Sequence, residues 1–331
     1  MSRYADAHSA PKGPGDARPT ALQIVKDEGL EGKLIDKVVL ITGCSSGLGI
    51  ETARAIAATG ARIFAGVRNV QKGEDALSDI LKSGKVELLK MDLNSLESVR
   101  AAAEVFKSRS EKLNIMINNA GVMATPQGKT ADGFETQFGT NHLAHFLLFQ
   151  LLKPLLLSSS TPAFPSRVVA LSSSGHRTHG IFFDDYNIEK TAYNPWVAYG
   201  QSKTANIYLA NEIERRYGDR GLHGYSLHPG GIQTGLQNHL GEDMQAMMKQ
   251  PDIVRNMKSP EQGAATSVYT ALSREAEGRG GRFFEDCAEA PPVGDGKGMM
   301  AVGYATWAYH EEGEKKLWKD SLKMVGLEDD V

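Results

Sequence analysis

Short, unbroken apolar runs alternate with stretches of helical period from residue 37 to residue 284, and this confines the 331-residue chain to few folds. The runs occupy residues 37–41, 61–65, 86–91, 113–117, 167–171 and 222–227, with a shorter, weaker one at 282–284. They are continuous rather than alternating, as strands buried on both faces require. Between them lie helical patterns over residues 49–59, 73–81, 96–106, 136–152, 197–217 and 260–272. Strands separated by helices pair in parallel through right-handed crossovers. The expectation is one doubly wound α/β domain, a mostly parallel seven-stranded sheet with helices on both faces.

Residues 36–331 are assigned to this domain and residues 1–35 to a flexible leader, rich in Pro and Gly and poor in periodicity, although Leu22, Ile24 and Val25 can pack on the domain. Apolar residues make up 41% of the chain, enough to fill a core without metal or disulfide staples. The net charge of -3 gives no broad positive field, which argues against nucleic-acid partners. Two cysteines, Cys44 and Cys287, make neither a disulfide scaffold nor a cysteine-rich zinc site, and a reducing, cytoplasmic setting is expected. The histidines form no plausible ligand set, so no metal is expected. The N-terminus lacks the apolar core of a secretory signal. The greasiest run, Phe146 to Leu157, is broken by Gln150, Lys153 and Pro154, so it reads as a buried helix ending near its proline rather than a membrane span.

The first apolar run leads into Thr42-Gly43-Cys44-Ser45-Ser46-Gly47-Leu48-Gly49. Glycines let the backbone turn tightly and approach a ligand, and the following helix offers free N–H groups to a pyrophosphate. In this strand–turn–helix context the T-G-x-x-x-G-x-G spacing reads as a Rossmann-type nucleotide loop, with a glycine-rich turn that holds no ligand as the alternative. An acid at the end of the second strand would bind the ribose hydroxyl of NAD, whereas an arginine accommodates the extra phosphate of NADP. This chain has Arg68-Asn69 there, and its first acids are Glu74 and Asp75 on the next helix. NADP(H) is therefore the expected cofactor, with Ser45 or Ser46 adding a hydroxyl to the same phosphate. Cys44 reads as a small space-filling residue, with redox sensitivity the alternative.

Tyr199-Gly200-Gln201-Ser202-Lys203 opens a long helical pattern and puts a phenol and an ammonium on one helix face. There the ammonium can lower the phenol pKa and make a useful acid or base. Taken with Ser173 and Asn118-Asn119-Ala120-Gly121, the chain resembles the short-chain dehydrogenase/reductase family from about residue 36 to about 325. Gly66-Val67-Arg68-Asn69, Asn141-His142-Leu143-Ala144-His145-Phe146 and Gly281-Arg282-Phe283-Phe284-Glu285-Asp286-Cys287 resemble its retinol-dehydrogenase-like group.

The resemblance implies that Tyr199 moves the proton on the substrate oxygen and that Lys203 lowers its pKa and holds the nicotinamide ribose. Ser173 would hydrogen-bond the reacting oxygen, and Asn141 would hold a water that links Lys203 to solvent. Gly43, Ser45, Ser46, Gly47, Leu48, Gly49 and Arg68 would bind the phosphates, and Asp92 and Leu93 the adenine. Asn119, Ala120 and Gly121 would border the cofactor. Pro229, Gly230, Ile232 and Thr234 would line its nicotinamide side. Ser172 and Ser174 remain alternatives to Ser173. Tyr186-Asn187-Ile188-Glu189-Lys190 repeats the Tyr–Lys spacing, but it follows Asp184-Asp185 in a loop-like stretch, with Asn194-Pro195 soon after.

Two long segments would frame a substrate. Residues 175–196 carry Phe182, Phe183, Tyr193 and Trp196, and residues 231–258 carry Met244, Met247, Met248 and Met257. Together they suggest a bulky, lipophilic alcohol or carbonyl compound. The expected function is an NADP(H)-dependent oxidoreductase. A sugar-nucleotide epimerase would show a different glycine spacing, and a non-catalytic NADP sensor would not need the Ser173–Tyr199–Lys203 set. Family members often pair through the helices that carry Asn141 and Tyr199, which makes a homodimer one expectation and a monomer the other.

Overall fold

Five consecutive buried residues make the first strand, β1 (Val38–Thr42). Its alternate side chains feed two separate layers of core. Val39 and Ile41 pack with Ile56 and Val268, from the helices Leu48–Ala58 and Ala265–Leu272. Leu40 packs with Phe106, Phe146 and Leu209, from the helices Leu96–Arg109, Ala144–Ser159 and Pro195–Tyr217. A strand covered on both faces cannot alternate in polarity, which is why its sequence is uniformly apolar. The computed structural model describes residues 2–294 and 301–329. Over these residues the remaining strands are β2 (Arg62–Val67), β3 (Val86–Lys90), β4 (Ile115–Asn118), β5 (Ser166–Leu171), β6 (Leu222–His228), β7 (Phe283–Glu285) and β8 (Ala288–Glu289).

The sheet order is β3-β2-β1-β4-β5-β6-β7-β8, with β1 to β7 parallel. The chain order reverses between β1 and β4, and ligands in open α/β sheets bind at such a point, beyond the carboxyl ends of the strands. The eighth strand was not expected. It is two residues long and antiparallel to β7. Asp286 and Cys287 form the turn between them, with φ of 52° and 54°. Positive φ at both central residues is what a two-residue hairpin of the favoured twist demands.

Three further expectations change. The pattern over residues 73–81 resolves into two short helices, Val70–Ala76 and Ser78–Leu81, meeting at the buried Leu77. The helix Ala144–Ser159 runs through Pro154 rather than ending there. Leu152 and Leu156, on either side of the proline, are fully buried, and that packing holds the helix past the missing N–H.

The leader, expected to be flexible, is folded onto the domain. It forms the helices Ala5–Ser9 and Ala21–Asp27, and Ile24 and Val25 are fully buried while Leu22 is exposed. Arg18 is buried and donates to the carbonyls of Gly13, Asn256 and Met257 at 3.1, 3.0 and 2.5 Å. The Gln262 side chain receives Gly15 N–H at 2.9 Å and donates to Arg18 O at 3.0 Å. These are bonds between side chains and main chain, so no hydrophobic period in the sequence announces them.

The helix Glu311–Met324 packs on the far layer, with Trp318 against Phe146, Phe149 and Tyr217 at ring separations of 5.1, 6.0 and 6.3 Å. It therefore covers part of the two helices through which pairing was expected.

Candidate active site

Close approach of backbone to backbone dictates the glycines after β1. A Cβ on Gly49 would stand 2.2 Å from Gly43 O, and one on Gly43 would stand 2.9 Å from Ala120 Cα. Gly43 and Cys44 donate their N–H groups to Gly66 O at 2.9 and 3.1 Å, which ties the loop to β2. The helix Leu48–Ala58 begins at Gly47 without a side-chain cap, so its first N–H groups remain available to an anion. Cys44 points inward, with Sγ 3.3 Å from Ile41 O, and burial pushes its thiol pKa up, which favours the space-filling reading.

A hydrogen-bonded chain joins this loop to the helix Pro195–Tyr217. Ala120 N–H donates to Thr42 Oγ1 at 2.9 Å, and Thr42 Oγ1 lies 2.8 Å from His145 Nε2. His145 Nδ1 lies 2.9 Å from Asn141 O. A carbonyl only accepts, so Nδ1 carries the hydrogen and Nε2 receives the Thr42 hydroxyl. Burial lowers the His145 pKa to about 4, consistent with a neutral ring. Asn141 sits in a π-helical turn, Gly139–Leu143, a feature common at functional sites. Its Oδ1 receives Val122 N–H at 2.8 Å, and its Nδ2 donates to Val122 O and to Ser202 Oγ, both at 2.9 Å. The side chain expected to hold a water thus clamps two protein segments together.

Ser173, Tyr199 and Lys203 converge. Asn194 caps the helix Pro195–Tyr217 and Pro195 occupies its first turn, so Tyr199 and Lys203 fall one turn apart on its inward face. Lys203 Nζ lies 5.6 Å from the Tyr199 ring centre and donates to Leu171 O at 3.0 Å. Burial pushes the Tyr199 pKa up to about 12, against a hydrogen bond from Ser173 that lowers it. Burial also brings the Lys203 pKa down to about 8. The expected lowering of the phenol by Lys203 is therefore not the net result, and Tyr199 stands as a neutral hydrogen-bond donor. Ser172 Oγ donates to Lys203 O at 2.8 Å and is used structurally. Tyr186 lies outside any helix and donates to Asp320 at 2.6 Å, which separates it from this cluster.

A cavity of about 1080 Å³ opens at the carboxyl ends of the strands. Every candidate site residue named from the sequence lines it except Gly49 and Asn141, which stand behind the wall. At the end of β2 the lining is Arg68, Asn69 and Lys72, and Lys72 had not been anticipated. It stands in the first turn of a helix capped by Asn69, whose side chain receives Lys72 N–H at 2.9 Å. Of the aromatic residues in 175–196, only Trp196 reaches the cavity; Phe183 packs in the core, Phe182 stacks on His179, and Tyr193 donates to Glu135 at 2.9 Å. Met244, Met247, Met248 and Met257 all line it. So do His8 and Asp286, neither of which was among the site residues expected from the sequence.

Among the described residues no helix is long and apolar enough to cross a membrane. A sequence model of the short chain dehydrogenases matches residues 37–245. The short-chain dehydrogenase/reductase prx1 of Penicillium roqueforti is 53% identical over 326 residues, covering 98% of this chain and 95% of that protein. Human retinol dehydrogenase 12 is 38% identical, covering 89% of this chain and 88% of that protein. Among solved structures, the Pseudomonas aeruginosa RhlG/NADP active-site complex superposes with a TM-score of 0.62 at 25% identity, covering 77% of this chain and 96% of that one. With the sheet order, the glycine loop and the serine–tyrosine–lysine cluster already in place, these similarities show that the chain belongs to the short-chain dehydrogenase/reductase family.

Proposed function

We propose that the protein is an NADP(H)-dependent oxidoreductase that interconverts an alcohol and its ketone or aldehyde, with Tyr199 as general acid and base. The observation that carries this reading is the convergence of Ser173, Tyr199 and Lys203 on the cavity that the glycine loop also lines.

The residues fit a dinucleotide phosphate. The uncapped helix start at Gly47 suits the pyrophosphate, and Arg68 with Lys72, at a strand end without an acid, suits the additional phosphate of NADP. Asp92 and Leu93 would meet the adenine, and Asn119, Ala120 and Gly121 the middle of the cofactor. Pro229, Gly230, Ile232 and Thr234 would flank the nicotinamide, which exchanges hydride with the substrate carbon when bound. In reduction Tyr199 donates its phenolic proton to the substrate oxygen, and Ser173 Oγ holds that oxygen as charge develops. Lys203, anchored on Leu171 O, offers a second donor beside the phenol. Asn141 positions the catalytic helix through Ser202. Trp196, Leu240 and the four methionines favour a bulky, lipophilic substrate body.

Absorbance-monitored oxidation of NADPH and NADH against a panel of aldehydes and ketones tests the reading. Tyr199→Phe is expected to lower kcat about a thousandfold, within the range for removing a general acid. Arg68→Asp is expected to lower the NADPH-over-NADH preference by about tenfold or more, the scale of one lost charge-assisted contact. Full activity in Tyr199→Phe, with loss in Tyr186→Phe, would overturn the assignment.

A further inference from the structure

The cavity has one apolar wall, carrying the methionines of residues 231–258, and one polar corner where the leader meets the β7–β8 turn. His8 enters that corner from the leader, and its side chain is 8% exposed. Its Nδ1 lies 2.9 Å from Tyr4 O, so Nδ1 carries the hydrogen. Burial lowers the His8 pKa despite the opposing effect of Asp286, so the ring is neutral and Nε2 is an acceptor. Nε2 faces Asp286 Oδ1 at 3.8 Å. Burial raises the Asp286 pKa, but Lys258 beside the carboxylate draws it below the ordinary value, so the carboxylate is ionised. Lys258 Nζ donates to that same Oδ1 at 2.6 Å and to Pro229 O at 3.2 Å.

Two acceptors therefore face each other across a gap too long for a hydrogen bond, and both line the substrate cavity. Asp286 Oδ1 already receives Lys258 Nζ and keeps a further lone pair, whereas His8 Nε2 has no hydrogen-bond partner among the described residues, so a donor entering from the cavity can be received by either. Lys258 also fixes how far this corner lies from the chemistry. A Cβ on Gly230 would stand 2.9 Å from Lys258 Cδ, so one lysine side chain separates Asp286 from the turn assigned to the nicotinamide side. His8 lies in the leader, before residues 37–245, which the family model matches, and Asp286 lies after them.

We propose that His8 and Asp286 are specificity-determining residues that bind a hydroxyl of the substrate other than the oxygen that reacts, so that the substrate class is a lipophilic hydroxy-ketone or hydroxy-aldehyde, or the matching diol. The hydroxyl donates its hydrogen to His8 Nε2 or to the Asp286 carboxylate. This rests on the oxidoreductase reading above and extends it to the substrate.

Matched ketones with and without the hydroxyl, hydroxyadamantanone against adamantanone and dihydrotestosterone against androstanone, test the proposal with the full chain and NADPH. The wild-type protein is expected to favour the hydroxylated member of at least one pair in kcat/KM by about tenfold, the scale of one hydrogen bond to a buried group. His8→Leu is expected to abolish that preference through KM. His8→Gln, which restores an acceptor, is expected to recover most of it. NADPH affinity, followed by nucleotide fluorescence, should stay the same in both variants and shows that they are folded. No preference in either pair, or a preference that His8→Leu leaves intact, overturns the hydroxyl subsite alone. Failure of the wild-type protein to turn over any carbonyl compound with NADPH overturns the oxidoreductase reading and the subsite with it.

Discussion

The side of the cavity proposed for the cofactor and the side proposed for the substrate are built from different materials. The cofactor side is assembled from strand ends and main chain: the glycine loop after β1, Arg68 after β2, Asp92 after β3 and Asn119 to Gly121 after β4. Each lies within a few residues of the strand that positions it. The substrate side gathers segments far apart in the chain, with His8 and Arg18 from the leader, Leu240 and the methionines from Met244 to Met257, and Asp286 from the β7–β8 turn. It is held by side chains such as Arg18, Gln262 and Lys258 reaching across those gaps. Backbone geometry leaves the first side little freedom to change. The second can be altered one side chain at a time, which is how a family can keep one reaction and vary its substrate.

Perturbations of the two sides should separate accordingly. On the cofactor side, Gly49→Ala drives a Cβ to 2.2 Å from Gly43 O. Backbone has nowhere to yield, and NADPH affinity should fall about a hundredfold, the equivalent of roughly 3 kcal/mol of overpacking strain. Fluorescence titration with NADPH reads this directly. A variant that binds normally would mean the loop is more plastic than the close approach implies.

At the junction of the two sides, the Lys203 pKa has been lowered by burial to about 8. Its charged form is therefore present below about pH 8 and lost above it. If that charge assists proton delivery by Tyr199, kcat/KM for carbonyl reduction is flat at lower pH and falls about tenfold per unit above the Lys203 pKa. A pH profile still flat well above that value would assign Lys203 a purely structural role.

On the substrate side, Arg18→Met removes the donor to the carbonyls of Gly13, Asn256 and Met257. The expected cost is about 1–3 kcal/mol in chemical denaturation, because buried acceptors lose their partner. The carbonyl KM should rise several-fold while NADPH affinity stays constant. An equal loss of cofactor affinity would erase the distinction between the two sides.

Legibility in the sequence followed the same division. The glycine loop could be read because close backbone approach excludes every side chain but hydrogen at Gly43 and Gly49. The helical spacing of Tyr199 and Lys203 could be read because it is local. Tyr199 rather than Tyr186 was also open to reasoning from neighbouring residues: Tyr199 lines the cavity and Tyr186 bonds to Asp320, whereas Ser172, Ser173 and Ser174 all line it and only Ser172 is held by the Lys203 carbonyl. The leader was misjudged, since a buried arginine bonded to carbonyls leaves no periodic trace. Phe182, Phe183 and Tyr193 were drawn toward the substrate by their position in a long loop, although two of them pack with other side chains and Tyr193 bonds to Glu135.

The sequence by itself determined the parallel sheet, the glycine loop after its first strand and the family to which the chain belongs, because each rests on local geometry or on a pattern spanning a few residues. Only the tertiary structure decided that the leader lines the cavity and that His8 meets Asp286 there. These contacts join residues 278 positions apart (286 − 8) through single side chains, and no period or motif in the chain records such a meeting.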